Sequence, residues 1–159
     1  MRVLRTSRPA LTDCHQKRAG LILASMLTMD AVVSPNRARI LALQQRSFDL
    51  TCAVVSSYPK RGTLDDASRI IWRELVKAVS SSTFNLEEAD AASSDADFLA
   101  KMRIALRETK EAGVAIRIIV RCKLAGCETV AQYEDEARQM SKIFGKIIVN
   151  KKASMQSRR

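Results

Sequence analysis

Histidine is almost missing from this chain: His15 is the single one in 159 residues. Structural zinc sites, di-metal centres built on Glu-x-x-His pairs and histidine-dependent triads all need imidazole in the folded body, so those chemistries have little to draw on. Aromatic residues make up 4% of the sequence, beside three prolines and five glycines. Many short strands joined by tight turns are therefore not expected, since strands draw on aromatic residues and turns on Gly and Pro. The cysteines, Cys14, Cys52, Cys122 and Cys127, include no Cys-x-x-Cys pair. Reduced thiols of a cytoplasmic protein are the expectation, without a disulfide framework or a metal. No Ser-His-Asp set, Cys-His pair or glycine-rich phosphate loop occurs, which points to a non-enzymatic protein with no cofactor.

Long hydrophobic runs are also lacking. Leu21 to Met29 is too short to span a bilayer and is closed by Asp30, so no membrane partner is expected. Lys17 and Arg18 precede it as in a secretory leader, yet no clear small-residue cleavage site follows. Translation from Met26 or Met29 is the other explanation, and residues 1–33 are set apart as an extension.

What the chain has in quantity is aliphatic and charged residues, with 47% hydrophobic, 28% charged and a formal net charge of +10. That length and composition suit one all-α domain with a single core. The charge is uneven: residues 1–46 carry +6, residues 47–137 carry −3 and residues 138–159 carry +7. Basic ends suggest RNA or DNA as a partner, with solubility as the plainer explanation. Lys151, Lys152, Arg158 and Arg159 stand in a segment, 151–159, that reads as a basic C-terminal tail.

Between the ends, four amphipathic stretches follow one another. Ser34-Pro35 opens the first, with a capping oxygen and a proline whose missing donor costs nothing at that position. Ile40, Leu43, Phe48, Leu50, Val54 and Val55 are its expected core face, and Tyr58 to Gly62 ends it. Thr63 is the expected cap of the second helix, with Asp65 and Asp66 in the first turn. Its stripe is Leu64, Ala67, Ile71, Leu75, Ala78 and Val79, widened by Ile70 and Trp72. Ser80 to Thr83 are weak helix formers that could kink or loosen it, but the pattern recovers through Phe84 to Ala92, so one helix to about residue 92 is expected. Ser94 and Asp97 make a capping-box pair for the third helix, whose face is Phe98, Met102, Ala105, Thr109, Ala112, Ile116 and Val120. Leu124-Ala125-Gly126 supplies a glycine stop, and Thr129 with Gln132 a capping box for the fourth, through Val130, Tyr133, Ala137, Met140, Phe144 and Ile147. Short connections make these helices antiparallel neighbours, predicting an up-down-up-down four-helix bundle over residues 34–150.

Three features of the bundle could carry function. Arg103, Arg107, Lys110, Arg117 and Arg121 fall within about 40° of one direction on the third helix at roughly 100° per residue, making a basic ridge that could neutralise phosphates. The plainer alternative is a solvated face with Glu108 and Glu111 pairing nearby cations. Ile104, Ala115, Ile118 and Cys122 give the same helix a second apolar side, from which self-association is expected. Asn85, Glu88 and Glu111 have the spacing of polar groups that bond between helices or cap loosened backbone, and they lack the histidines of a metal site.

Arg73-Glu74-Leu75, Ser80 to Ser82, Asn85-Leu86-Glu87-Glu88-Ala89, Asp97 to Lys101 and Ile104 to Glu111 resemble the central signature of a known family. It comprises the small bacterial four-helix bundle proteins first associated with intervening sequences in 23S ribosomal RNA genes. Phe48-Asp49-Leu50 and Tyr58-Pro59-Lys60 stand where that family has its first-helix and first-loop motifs, so the similarity covers residues 46–150. Many relatives have an aromatic pair where this chain has Ala112 to Ala115. The resemblance implies a left-handed antiparallel bundle that forms rings, commonly pentamers. Related bundle proteins are basic accessory subunits of diversity-generating retroelements, binding a reverse transcriptase and nucleic acid, and the family offers no catalytic residue to transfer. The leading expectation is a self-associating, nucleic-acid-binding accessory protein. The alternative is an adaptor or scaffold, for example for a reverse transcriptase, without direct nucleic-acid contact.

Overall fold

The structure is a computed structural model that describes residues 34–60 and 62–158. The expectations for residues 1–33, His15 and Cys14 included, and for Arg159 lie outside the described residues. The chain divides into two units, 1–38 and 39–159. In the first, the described part is the start of a helix: the Ser34 hydroxyl accepts from the Arg37 amide at 3.3 Å and the Ser34 carbonyl accepts from the Ala38 amide at 2.9 Å. The helices in order are α1 (Pro35–Ser56), α2 (Asp66–Asp90), α3 (Asp95–Arg121), a single turn α4 (Cys127–Val130) with a 3₁₀ turn at Ala131–Tyr133, and α5 (Glu134–Gln156). The described residues contain no strand.

Side-chain pairings within 39–159 fix the directions of the four long helices. Gln44 donates to Glu87 at 2.8 Å and Thr51 to the Val79 carbonyl at 3.0 Å, so α1 and α2 run antiparallel. Glu88 pairs with Lys101 and Ser82 meets Thr109 at 2.6 Å, which does the same for α2 and α3. Lys151 pairs with Asp95, while the ideal Cβ position on Gly113 lies 3.9 Å from the Ala137 Cβ, making α3 and α5 antiparallel. Arg46 holds Glu136 and Gln139 on α5, closing the ring of helices, and the bond to Glu136, ahead of the nearby carboxylate charges, raises its pKa against the opposing effect of burial. The result is an up-down-up-down four-helix bundle.

Its core is mostly aliphatic around two aromatic rings, with Trp72, Leu75, Met102, Ala105, Ile116, Ile119, Met140 and Phe144 at the centre. Burying each large side chain contributes about 1.5–3 kcal/mol. Two expected faces need correction. On α1, Ile40, Phe48 and Val55 are exposed and Gln44 and Ser47 take the inward positions beside Leu50 and Val54. On α2, Ile70 is exposed and Ala67 lies at the surface, while Trp72 is fully buried.

As expected, α2 is a single helix, running unbroken from Asp66 to Asp90, and the polar inward positions explain why Ser80 to Thr83 do not loosen it. Thr83 lies 2.8 Å from the hydroxyls of both Ser47 and Thr51, and Ser82 bonds the Ala105 carbonyl and the Thr109 hydroxyl. These residues are therefore a hydrogen-bonded layer inside the bundle, in which tertiary partners offset their weak helix propensity.

The caps also shift. Asp65, not Thr63, starts α2 by accepting the Ser68 amide at 2.7 Å, while Thr63 donates back to the Lys60 carbonyl. Ser94 caps α3 through the Asp97 amide at 3.1 Å, but Asp97 reaches the Ser93 amide instead of closing a box on Ser94. Thr129 and Gln132 form no capping box; Thr129 donates to the carbonyl of Gly126, the residue just before α4, and Gln132 to the Thr129 carbonyl. The α5 start has no side-chain cap and relies on Glu134, Asp135 and Glu136 in its first turn, where the helix dipole favours negative charge.

Candidate functional site

The five ridge residues of α3 are all exposed, and they divide by their partners. Arg107 bonds Glu108 at 2.8 Å and approaches Glu111 at 3.6 Å, and the first of these raises its pKa. Glu108 itself is buried, so Arg107 is committed to neutralising it. Glu111 accordingly serves an intrahelical pair. Arg103, Lys110, Arg117 and Arg121 make no ion pair among the described residues. Arg121 lies in the last turn of α3, where its charge complements the helix C-terminus.

Lys110 and Arg117 face a trough between α3 and α5 of about 590 Å³. Gly113, Val114, Ala137 and Ser141 contribute small side chains to it, and Glu134, Arg138 and Lys142 contribute charge from α5. Four cations against one carboxylate give the lining a net +3. The small α3 and α5 side chains let the helices approach, and the long cationic ones stand along both banks. Arg138 is held by Asp135, whose pKa falls through bonds from Arg138 and then Gln139. Lys142 adds its field to Asp135 but forms no ion pair within 4.0 Å among the described residues. Arg138 and Lys142 were absent from the expected site. Their spacing of four along an amphipathic helix was the available signal, but only the antiparallel packing shows that they face Lys110 and Arg117.

The C-terminal cations behave differently from a free tail. Residues 151–156 continue α5 as helix, because the apolar Ile148 and Met155 keep its inward face against the core. Lys151 bonds Asp95 at 2.5 Å and sits 5.4 Å from the Phe98 ring centroid, and Arg158 lies 4.0 Å from the same carboxylate. The Lys151 bond depresses the Asp95 pKa. Of this group, Lys152 alone is an exposed described cation without an ion pair among the described residues.

The polar motif does not converge. Asn85 donates to the Ser81 carbonyl at 2.9 Å within α2, Glu88 bridges to Lys101 on α3, and Glu111 pairs with Arg107. Among the described residues no group of three or more His, Cys, Asp or Glu is placed to hold a metal ion. No helix among them is long and apolar enough to cross a membrane. On the other flank of α3, Ile71, Val114, Ala115 and Ile118 line an open apolar groove of about 340 Å³ against α2. Of the expected second apolar side, Ile104 and Ile118 are half-buried, Ala115 is buried and Cys122 is exposed.

No family model matches the chain, and no curated protein matches it. Among solved structures it is similar to a protein of unknown function from the S23 ribosomal protein family of Bacteroides thetaiotaomicron. The TM-score is 0.58 at 20% identity, over 67% of this chain and 97% of that one. This likeness is one of fold: a helical bundle of the same kind spans nearly the whole of that neighbour.

Proposed function

We propose that this protein is a non-enzymatic, self-associating bundle that binds nucleic acid as an accessory protein. The observation that carries the reading is the trough between α3 and α5, where Lys110, Arg117, Arg138 and Lys142 gather against the single carboxylate of Glu134. Lys110, Arg117 and Lys142, which have no ion pair among the described residues, are free to displace counterions from a phosphate backbone, and that release drives sequence-independent binding, while Arg138 shares its charge with Asp135. The fold shared with a member of the S23 ribosomal protein family and the resemblance to the 23S intervening-sequence proteins support the same reading, as does the net charge of +10.

A second reading rests on the apolar groove of Ile71, Val114, Ala115 and Ile118, which suits an adaptor holding a protein such as a reverse transcriptase. Salt separates the two. Fluorescence anisotropy with labelled RNA and DNA should show affinity falling steeply as salt rises, whereas a complex made through the apolar groove should persist. Absence of binding to either nucleic acid at low salt would remove the first reading and leave the adaptor.

A further inference from the structure

We infer that the trough between α3 and α5 takes the phosphate backbone of a nucleic-acid duplex and reads no base. The inference rests on the nucleic-acid reading above and narrows it to one ligand form at one place.

Proteins that hold single strands supply aromatic platforms for the unpaired bases, each stack contributing about 1–3 kcal/mol. This chain has seven aromatic side chains, all among the described residues, and none lines the trough. Trp72 and Phe144 are fully buried, and Tyr58, Phe98 and Tyr133 are half-buried against the core. Phe48 and Phe84 are exposed, but they stand on α1 and α2. Adenine reading has no Asn or Gln in the lining to support it, and the Arg and Lys side chains that could reach guanine edges stand on the banks beside a floor of Gly113, Val114, Ala137 and Ser141. What remains is charge on two banks. Lys110 and Arg117 lie seven residues apart on α3 and Arg138 and Lys142 four apart on α5, about 10 Å and 6 Å along their helices.

With charge as the only driver, counterion release decides which form binds. The exponent is about 0.9 per phosphate contact for a duplex and about 0.7 for a single strand. For the three unpaired cations, Lys110, Arg117 and Lys142, the difference of about 0.6 favours the duplex by about sixfold at roughly 50 mM salt.

The test uses the full chain with labelled duplex and single-stranded oligonucleotides of equal length, as RNA and as DNA, in several sequences. Duplex affinity should fall about 40-fold between about 50 and 200 mM salt, with little difference among sequences. The double variant Arg117→Gln/Lys142→Gln should lose only about 3.5-fold over that range, because two of the three contacts are gone. Both residues are exposed, so its melting temperature should match wild type. Arg73→Gln, exposed on α2 outside the trough, should keep the wild-type salt response. Tighter binding of single strands, or more than tenfold discrimination among sequences, overturns the inference and leaves nucleic-acid binding standing. A wild-type salt response in the double variant does the same by moving the site elsewhere. Failure to bind any of the oligonucleotides overturns both.

Discussion

Gly126 carries two constraints at once. Its φ of +81° lies in the left-handed region, and a Cβ there would stand 2.8 Å from Trp72 Cζ2 and 3.0 Å from Pro59 Cγ. The close approach exists because the Trp72 indole donates to the Ala125 carbonyl at 2.7 Å, tying the α3–α4 turn to the core. Gly126→Ala should therefore cost about 1–3 kcal/mol, measured as a lower urea midpoint, and an unchanged midpoint would show that the turn relaxes freely. Three residues earlier, Lys123 occupies the same region with φ of 53°. It ends α3, since the Leu124 amide reaches the Ile119 carbonyl at 2.9 Å and the Lys123 amide reaches Val120 at 3.2 Å. The glycine stop expected at residues 124–126 thus begins earlier, on a residue that pays steric strain, and Lys123→Gly should raise stability by about 1 kcal/mol in the same titration. Sequence could locate this turn but not say which residue would turn left-handed, because that depends on which carbonyls the following amides meet.

Between elements, the hydroxyl layer is the clearest case of residues whose role lies in their partners. Ser47, Thr51, Ser82, Thr83 and Thr109 join α1, α2 and α3 through bonds that no local pattern specifies. Thr83→Val leaves the hydroxyls of Ser47 and Thr51 with a missing partner, and should lower stability by about 1–3 kcal/mol by chemical denaturation. A change under a few tenths would mean the layer finds other bonds. At the opposite edge, Asp95 on α3 anchors the end of α5 through Lys151 and Arg158. Its pKa is lowered below the ordinary 3.8 by the bond from Lys151. A depressed carboxylate adds stability that is complete above 3.8 and is lost as pH falls through the lower, folded value. Amide exchange at residues 151–156 should therefore be pH-independent, after correction for intrinsic rates, down to the carboxylate range and accelerate below it. Asp95→Asn should abolish that dependence; if it persists, another group anchors the helix end. The basic tail read from composition was a count of charges, and counting cannot show that one of them has a carboxylate waiting on a helix distant in sequence.

For the whole molecule, the bundle leaves apolar surface on several sides. Ile40, Leu41, Phe48, Val55, Ile70, Phe84, Val114 and Val149 are all exposed, more than a solitary helical bundle needs for its own core. Self-association, in the ring form implied by the family resemblance, is the corresponding proposal. Light scattering should give a mass that is a multiple of 17.7 kDa, and a monomer at all accessible concentrations would count against it. The sequence by itself determined the helical class, the number of long helices and their antiparallel order. Apolar spacing near 3.6 residues, caps and short connections act locally, and local rules are written in adjacent residues. Only the tertiary structure decided which side of α1 turns inward, that Ser82 and Thr83 are bonded core residues, and that Arg107 and Lys151 are engaged at home. It also decided that Arg138 and Lys142 stand across from Lys110 and Arg117. Each of these depends on a partner brought near by packing from tens of residues away, and a charge or hydroxyl declares its role only when the group facing it is known.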